Sequence, residues 1–245
     1  MEQPVDGPPP LDHLSLLDRS TANFAELLAQ ASGEEPVPSC PGWTVRDLAV
    51  HLGMVHRWAA GVVLTVRMAD RPEPIIGDSL AAWYSGTAEA LAAALRAVDP
   101  AEYAPNFART DETAAFWRRR QLHETVVHTV DLRRALGLGD GTIDAGLASD
   151  GVDELITAFF RRLAGKGTPP VVTENILIRA VDTGDAWVLG PGEPPELLAG
   201  DAPAAATIGG SAVDLYLGLW GRVPHDRLAV HGEGAASLLA GPTSI

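Results

Sequence analysis

The chain has one cysteine, Cys40, and one lysine, Lys166, among its 245 residues. A single thiol cannot form an intrachain disulfide, which excludes a disulfide framework of the kind that stabilises small exported proteins. Long apolar runs are missing too, since no window offers the roughly 20 uncharged apolar residues of a membrane span. The first ten residues lack the basic and apolar segments of a signal peptide. We therefore expect a cytoplasmic protein with no membrane partner.

Positive charge is also scarce. The chain carries 18 Lys and Arg against 32 Asp and Glu, for a formal net charge of −14. Its densest basic run, Arg118 to Arg120, lies in a predicted helix and therefore points to different sides of it. A nucleic-acid binder concentrates basic residues on one face, so we expect no nucleic-acid partner. Hydrophobic residues make up 46% of the chain, which is enough for a sizeable core.

Helical periodicity dominates the first two thirds of the chain. Thr44, with Asp47 three residues later, predicts a helix start of the capping-box type, and apolar residues at helical spacing continue to Met68. Other helices are predicted over residues 11–31, 78–98, 111–136 and 142–163. Long helices joined by loops indicate a four-helix bundle, in which metal and ligand sites are built from facing helices.

The pattern changes near residue 165. Strands are predicted over 175–181, 186–189, 204–208 and 228–231, with short helices over 211–220 and 235–240. The predicted fold class is therefore α+β with two domains. A helical bundle occupies residues 1–164, and a small α/β domain occupies residues 165–245.

Three residues carry the candidate chemistry. Glu124 and His128 lie four residues apart, so a helix stacks them on one face. His51 lies beside the apolar stripe of the second helix. Two imidazoles and one carboxylate can bind a divalent metal and leave coordination positions open, as catalytic zinc sites do. Asp131 shares the stripe of Glu124 and can hydrogen-bond the outer nitrogen of a ligating histidine.

A more ordinary explanation competes with the metal site. With 32 acidic residues and seven histidines, an acid four residues before a histidine arises readily by chance. Taken alone, His51 is more often a partly buried histidine with a hydrogen-bond partner. His56 and His123 point away from the site and are interpreted as structural. Cys40 is interpreted as a buried or structural thiol.

Four stretches resemble the mycothiol-dependent maleylpyruvate isomerase family. They are SCPGWTVRDLAVHLG at 39–53, HETVVH at 123–128, GGSAVDLYLGLWGR at 209–222 and LAVHG at 228–232. The resemblance covers most of the chain and preserves the order of the domains. It implies a DinB-like four-helix bundle followed by a small domain akin to sterol-carrier folds.

The same resemblance implies a site and an activity. His51, Glu124 and His128 match the metal ligands, with zinc or another divalent ion bound, and mycothiol is the implied thiol cosubstrate. A metal-activated thiol can attack an electrophilic small molecule, followed either by isomerisation or by S-transfer. Arg222, in a Leu-Trp-Gly-Arg motif, is the implied catalytic residue. Arg222 or Arg120 can hold a substrate carboxylate.

Two other classes of function were weighed against this enzyme. A sterol-carrier-like domain can hold an apolar ligand, which would make the protein a non-catalytic binding module with a structural metal. Such a carrier needs a continuous apolar tunnel, whereas an enzyme needs an open metal position and a polar pocket. A regulator related to zinc-dependent anti-sigma factors shares the bundle, but the second domain and the lack of a cysteine-rich ligand set argue against it. The sequence does not specify the oligomeric state.

Overall fold

The bundle predicted for the N-terminal half is confirmed. The computed structural model describes residues 11–68, 70, 74 and 79–243; the first ten residues, most of the predicted loop at 71–77 and the predicted helix start at Asp78 lie outside them. α1 and α2 each pack against α3 and α4. The four helices are α1 (His13–Leu28), α2 (Val45–Thr65), α3 (Leu80–Ala97) and α4 (Ala114–Ala135).

α2 begins at the predicted capping box and is the apolar helix of the bundle. Thr44 accepts a hydrogen bond from the Asp47 backbone N–H, and the Asp47 side chain accepts one from the Thr44 N–H. The helix ends before Val66, whose φ of 57° is left-handed, so it is shorter than predicted. By length and mean hydropathy of 1.2, α2 could cross a membrane, but 61% of that window is buried inside the fold. Its packing against α3 and α4 accounts for this apolar character.

α4 is buried on two sides, as its sequence pattern predicted. Leu122, Val126 and Val130 form an apolar side, whereas Arg120 and His128 are buried on a polar side. Polar groups inside a bundle must find partners within the protein. The polar side of α4 is therefore where the structure places the candidate chemistry.

The helical element predicted over 142–163 is present, but it is not one regular α-helix. A π-helical turn, Leu155–Phe159, separates α5 (Ala145–Glu154) from α6 (Phe160–Gly165). A π-turn adds a residue to the helical register and occurs frequently at functional sites. Here it follows Glu154, a residue of the site described below.

The C-terminal part forms a mixed five-stranded sheet in the order β3-β2-β1-β4-β5. β1 pairs antiparallel with β2 and parallel with β4, and helices α7 and α8 pack on β4. The sequence missed β3, which is short and mostly exposed. The elements are β1 (Ile176–Ala180), β2 (Ala186–Gly190), β3 (Glu196–Leu198), β4 (Ala206–Gly210), α7 (Ala212–Leu219), a 3₁₀ turn (His225–Arg227), β5 (Ala229–His231) and α8 (Glu233–Ala240). The predicted α+β class is confirmed.

The small domain is packed closely onto the helices. α5 packs against α7, and the Tyr216 hydroxyl donates to the His123 carbonyl at 3.2 Å. A Cβ at Gly151 would lie 2.3 Å from the Tyr216 ring, so this crossing requires a glycine. Trp187 donates its indole N–H to Asp153 at 3.0 Å and ties the sheet to α5. These contacts place the segment after α7 over the polar side of α4.

Candidate metal centre

His51, Glu124 and His128 come together between α2 and α4. Nε2 of His51 lies 3.2 Å from Oε1 of Glu124, and Nε2 of His128 lies 3.4 Å from the same oxygen. One ligand atom from each of the three residues lies within 4.8 Å of the other two. Helix geometry alone aligns Glu124 with His128, whereas His51 reaches them because α2 packs on α4.

The spacing of these atoms fits a divalent metal. Zinc bonds of about 2.0–2.1 Å at tetrahedral angles separate neighbouring ligand atoms by about 3.4 Å. The distances from Glu124 Oε1 to the two histidine nitrogens, 3.2 and 3.4 Å, match that separation. Across the residues that the structure describes, no fourth His, Cys, Asp or Glu joins the cluster. A metal held by these three residues would therefore keep coordination positions for other ligands.

Asp131 fixes the orientation of His128, as the helical stripe predicted. Its Oδ2 accepts from Nδ1 of His128 at 2.9 Å, which turns Nε2 towards Glu124. Burial lowers the pKa of His128, but the hydrogen bonds with Asp131 and Glu124 outweigh burial and raise it overall. Ser39 and Arg222 also donate to the Asp131 carboxylate, at 2.5 and 2.9 Å. Burial would raise the pKa of Asp131, but the hydrogen bonds with His128 and Arg222 and the charge of Arg222 hold it well below its usual range.

Arg120 binds one of the two carboxylate oxygens of Glu124 and leaves the other for the histidines. It is 3% exposed, and its Nη1 lies 2.7 Å from both carboxylate oxygens of Glu154. Its Nη2 donates to Oε2 of Glu124, which leaves Oε1 facing the two histidines. Burial would raise the pKa of Glu124, but the Arg120 charge and the histidine hydrogen bonds hold it well below its usual range. Because two buried carboxylates already balance Arg120, the alternative that it holds a substrate carboxylate is not favoured.

A cavity of about 430 Å³ opens beside the triad. Arg222 lines it, and its guanidinium contacts Asp131 through Nε and Nη2 and the Trp220 carbonyl through Nη1. Aromatic side chains line the cavity together with polar ones, which include Arg120, Gln121 and Arg162 besides the triad. The aromatic members are Trp43, Trp58, Phe107, Phe159 and Trp220.

The remaining predicted residues have structural partners. His123 is buried and hydrogen-bonds Asp150 at 2.7 Å, and His56 is buried against Gln121 and Tyr84. Burial, and then the nearby Asp131 charge, raise the pKa of the half-buried Cys40 thiol to about 11. These contacts agree with the interpretation of these residues as structural.

Two participants in the site were missed by the sequence analysis. Gln121 lies three residues before Glu124, so the same helical stripe could have identified it. No helical spacing in the sequence identifies Glu154 as a site residue, because the π-turn that follows it interrupts the regular helical repeat.

Comparison with known proteins assigns the chain to a family. Residues 14–133 match the family described as mycothiol maleylpyruvate isomerase N-terminal domain, and residues 147–241 match the one described as MDMPI C-terminal domain. The chain belongs to the mycothiol-dependent maleylpyruvate isomerase family. The resemblance seen in its sequence is thereby confirmed.

Solved structures share the fold of this family member. A crystal structure of the mycothiol-dependent maleylpyruvate isomerase is 13% identical, with a TM-score of 0.62 over 91% of this chain and 95% of that chain. A second, of a histidine-to-alanine mutant, is 11% identical, with the same TM-score of 0.62 and the same coverage of 91% and 95%. No curated protein sequence matches the chain.

Proposed function

We propose that this family member is a metal-dependent enzyme that activates mycothiol for attack on an electrophilic small molecule. The product forms either by isomerisation, as with a maleylpyruvate-like substrate, or by S-transfer. The observation that carries the proposal is the triad with its shared Glu124 oxygen, set beside a cavity lined by aromatic and polar side chains. Zinc suits two histidines and one carboxylate, although other divalent ions bind such ligands as well. We also propose that the enzyme acts in the cytoplasm.

The chain would hold the metal through His51, Glu124 and His128. A metal bound there lowers the pKa of a thiol, so that the thiol is present as the nucleophilic thiolate at neutral pH. Asp131 keeps Nε2 of His128 directed at the metal position, and Arg120 keeps Oε2 of Glu124 occupied. The aromatic wall shields the reacting sulfur from bulk water.

Arg222 is the proposed catalytic residue. It lines the cavity and is buried, with 10% of its side chain exposed. Its contacts with Asp131, the Cys40 sulfur and the Trp220 carbonyl leave one N–H of its five-donor guanidinium, on Nη1, without a protein partner. We propose that this N–H binds a substrate carboxylate while the ion pair with Asp131 fixes the guanidinium.

The alternative of a carrier for an apolar ligand is supported less well. The triad, Arg222 and Gln121 all line the same cavity as the aromatic side chains. An apolar ligand filling this space would have to cover these polar groups, which costs free energy unless their hydrogen bonds are replaced.

The first experiment measures the zinc content of the purified protein and titrates it calorimetrically with mycothiol. We expect about one zinc per chain, in line with a single three-ligand site, and thiol binding that depends on the metal. His51→Ala and Glu124→Ala should lose both, whereas His231→Ala, at an exposed histidine outside the cavity, should keep both. Full zinc content in the His51→Ala protein would contradict the ligand assignment, and zinc without thiol affinity would favour the carrier.

A further inference from the structure

The two histidines of the triad are held in different ways. Nδ1 of His128 donates to the buried carboxylate of Asp131 at 2.9 Å. In the part of the chain that the structure describes, no protein group hydrogen-bonds Nδ1 of His51, whose Nε2 faces Glu124. A histidine that binds a metal is usually held through its second ring nitrogen by a carboxylate, a carbonyl or water. The orientation of His51 must therefore come from packing.

The ring of Trp43 packs on the ring of His51. Their centres are 5.0 Å apart, and their planes are tilted by 51°. The His51 ring in turn meets the His128 ring edge-on, with 5.1 Å between the centres. Aromatic pairs favour tilted and edge-on arrangements at such distances, so both contacts restrict how the His51 ring can turn.

Trp43 ends a turn, residues 37–43, that is closed by its own backbone. The Val37 N–H donates to the Trp43 carbonyl at 2.9 Å, and the Trp43 N–H donates to the Cys40 carbonyl at 3.0 Å. The next residue, Thr44, is the N-cap of α2. The backbone of Trp43 is thus fixed on both sides of its side chain, immediately before the helix that carries the first histidine of the triad.

The same turn is tied to the carboxylate that orients His128. Ser39, in the middle of the turn, donates its hydroxyl to Oδ1 of Asp131 at 2.5 Å, while Oδ2 of Asp131 accepts from His128. The contacts therefore close a circuit. It runs from Asp131 through His128, His51 and Trp43 to Ser39 and back to Asp131.

We propose that Trp43 is the positioning residue for His51, and that the hydrogen bond from Ser39 to Asp131 holds the turn that carries Trp43. This inference rests on the proposed function, since it concerns how the chain would hold the metal. Trp43 does not bind the metal itself but keeps Nε2 of His51 directed at the metal position. One buried carboxylate thereby orients both histidines, His128 by a direct hydrogen bond and His51 through the turn.

The test measures the zinc affinity of the full-length protein by competition with a chromophoric chelator. Trp43→Leu removes the ring and keeps an apolar side chain, and Trp43→Phe puts a smaller ring in its place. The matched control is Trp58→Leu. It removes a second indole from the same cavity and from the helix that carries His51, at a ring that packs on Trp117 with 5.0 Å between centres.

We expect Trp43→Leu to bind zinc about 10-fold more weakly than Trp58→Leu does, as for the loss of a group that supports a ligating histidine. Trp43→Phe should recover most of that loss, because it restores the ring contact. Cobalt gives a second measurement, since the visible absorption of bound Co²⁺ depends on the geometry of its ligands. Trp43→Leu should alter that spectrum. Zinc affinity and a cobalt spectrum that match those of Trp58→Leu would overturn the inference.

A double-mutant cycle tests the link through Ser39. Ser39→Ala should weaken zinc binding about 3-fold in the wild-type chain and have almost no effect in the Trp43→Leu chain, because both changes act through the same turn. Equal effects in the two chains would show that Ser39 acts on Asp131 alone and would overturn the role of the turn. Wild-type protein that binds neither zinc nor cobalt would instead reject the proposed function.

Discussion

At the scale of single residues, the contacts of Glu124 limit the number of oxygens that its carboxylate can offer a metal. One oxygen faces two histidines, and the other is held by Arg120, which Glu154 holds in turn. A carboxylate with one oxygen occupied offers a metal one bond instead of two. In the proposed metal site, the buried pair of Arg120 and Glu154 would therefore help to keep coordination positions open for a thiol.

The Glu154→Gln substitution tests this arrangement. With Glu154 neutralised, Arg120 depends on Glu124 for its counter-charge and competes with the metal for that carboxylate. Zinc affinity, measured by competition with a chromophoric chelator, should weaken by about 10–100-fold. Breaking a buried ion pair on one side should also destabilise the fold by about 3–5 kcal/mol.

The control for that substitution is Asp153→Asn. Asp153 is the preceding residue, but it pairs with Arg119 and Trp187 and makes no contact with Arg120. Its removal should leave zinc affinity unchanged. If Glu154→Gln lowered stability without changing zinc affinity, Glu154 would support the fold alone.

Cys40 should be chemically inert in the folded protein. Burial and the Asp131 charge raise the pKa of its thiol to about 11, which favours the neutral form and leaves little thiolate at pH 8. Since the thiolate is the reactive species, iodoacetamide should label folded Cys40 about 100-fold more slowly than the same thiol in urea. Mass spectrometry of the labelled chain gives both rates, and equal rates would show that this environment does not protect the thiol.

At the scale of secondary-structure elements, α2 and α3 approach closely because of one glycine. A Cβ at Gly53 would lie 2.6 Å from ring atoms of Trp83 and 3.0 Å from Thr87. α2 must keep this approach to α3 while its other side presents His51 to α4. The helix therefore has little freedom to shift, and the small residue at position 53 helps to set the position of His51, the proposed metal ligand.

Two alanine substitutions in α2 should have opposite effects on stability. Gly53→Ala should lower the free energy of unfolding by about 1–3 kcal/mol, because the added methyl group overpacks the helix crossing. Gly61→Ala places the same methyl group where no atom lies within 4 Å, and it should stabilise by up to about 1 kcal/mol through helix propensity. Urea unfolding of both variants measures the difference, and a loss of stability in both would mean that the Trp83 contact is not the cause.

At the scale of the whole molecule, the two halves meet at the site. Asp131 on α4 receives hydrogen bonds from Ser39 of the loop before α2 and from Arg222 of the small domain. Tyr216 of α7 contacts His123 of α4, and residues of both halves contribute to one hydrophobic core. The proposed metal centre and the docking of the small domain thus depend on the same buried helix.

Cleavage of the chain at its only lysine tests whether these non-covalent contacts hold the two parts together without the covalent connection. Lys166 is exposed and lies at the domain boundary that we propose near residue 165. A lysine-specific protease should cut there and leave fragments 1–166 and 167–245, which should elute together from gel filtration because of their shared core. Urea should separate them, and a Lys166→Arg chain should stay intact. Fragments that separate in native buffer would show that docking needs the covalent connection.

Much of the fold and part of the site could be predicted from local patterns. The capping box at Thr44 and the two-sided burial of α4 depend on neighbours within a few residues, which the sequence displays directly. Glu124 and His128 align for the same reason. The π-turn was not predicted because its inserted residue follows no repeating pattern. β3 was not predicted because its three residues are mostly exposed.

The sequence by itself determined most of the helices and strands, the family and the candidate ligands. Only the tertiary structure decided that His51 approaches Glu124 to 3.2 Å, that Glu154 holds Arg120, and that Gln121 and Trp220 line one cavity. These residues are separated by tens of residues in the chain, so no helical or strand period relates them. Their distances follow from how closely the helices pack, and that closeness depends on the lack of a side chain at Gly53 and Gly151, where helices cross.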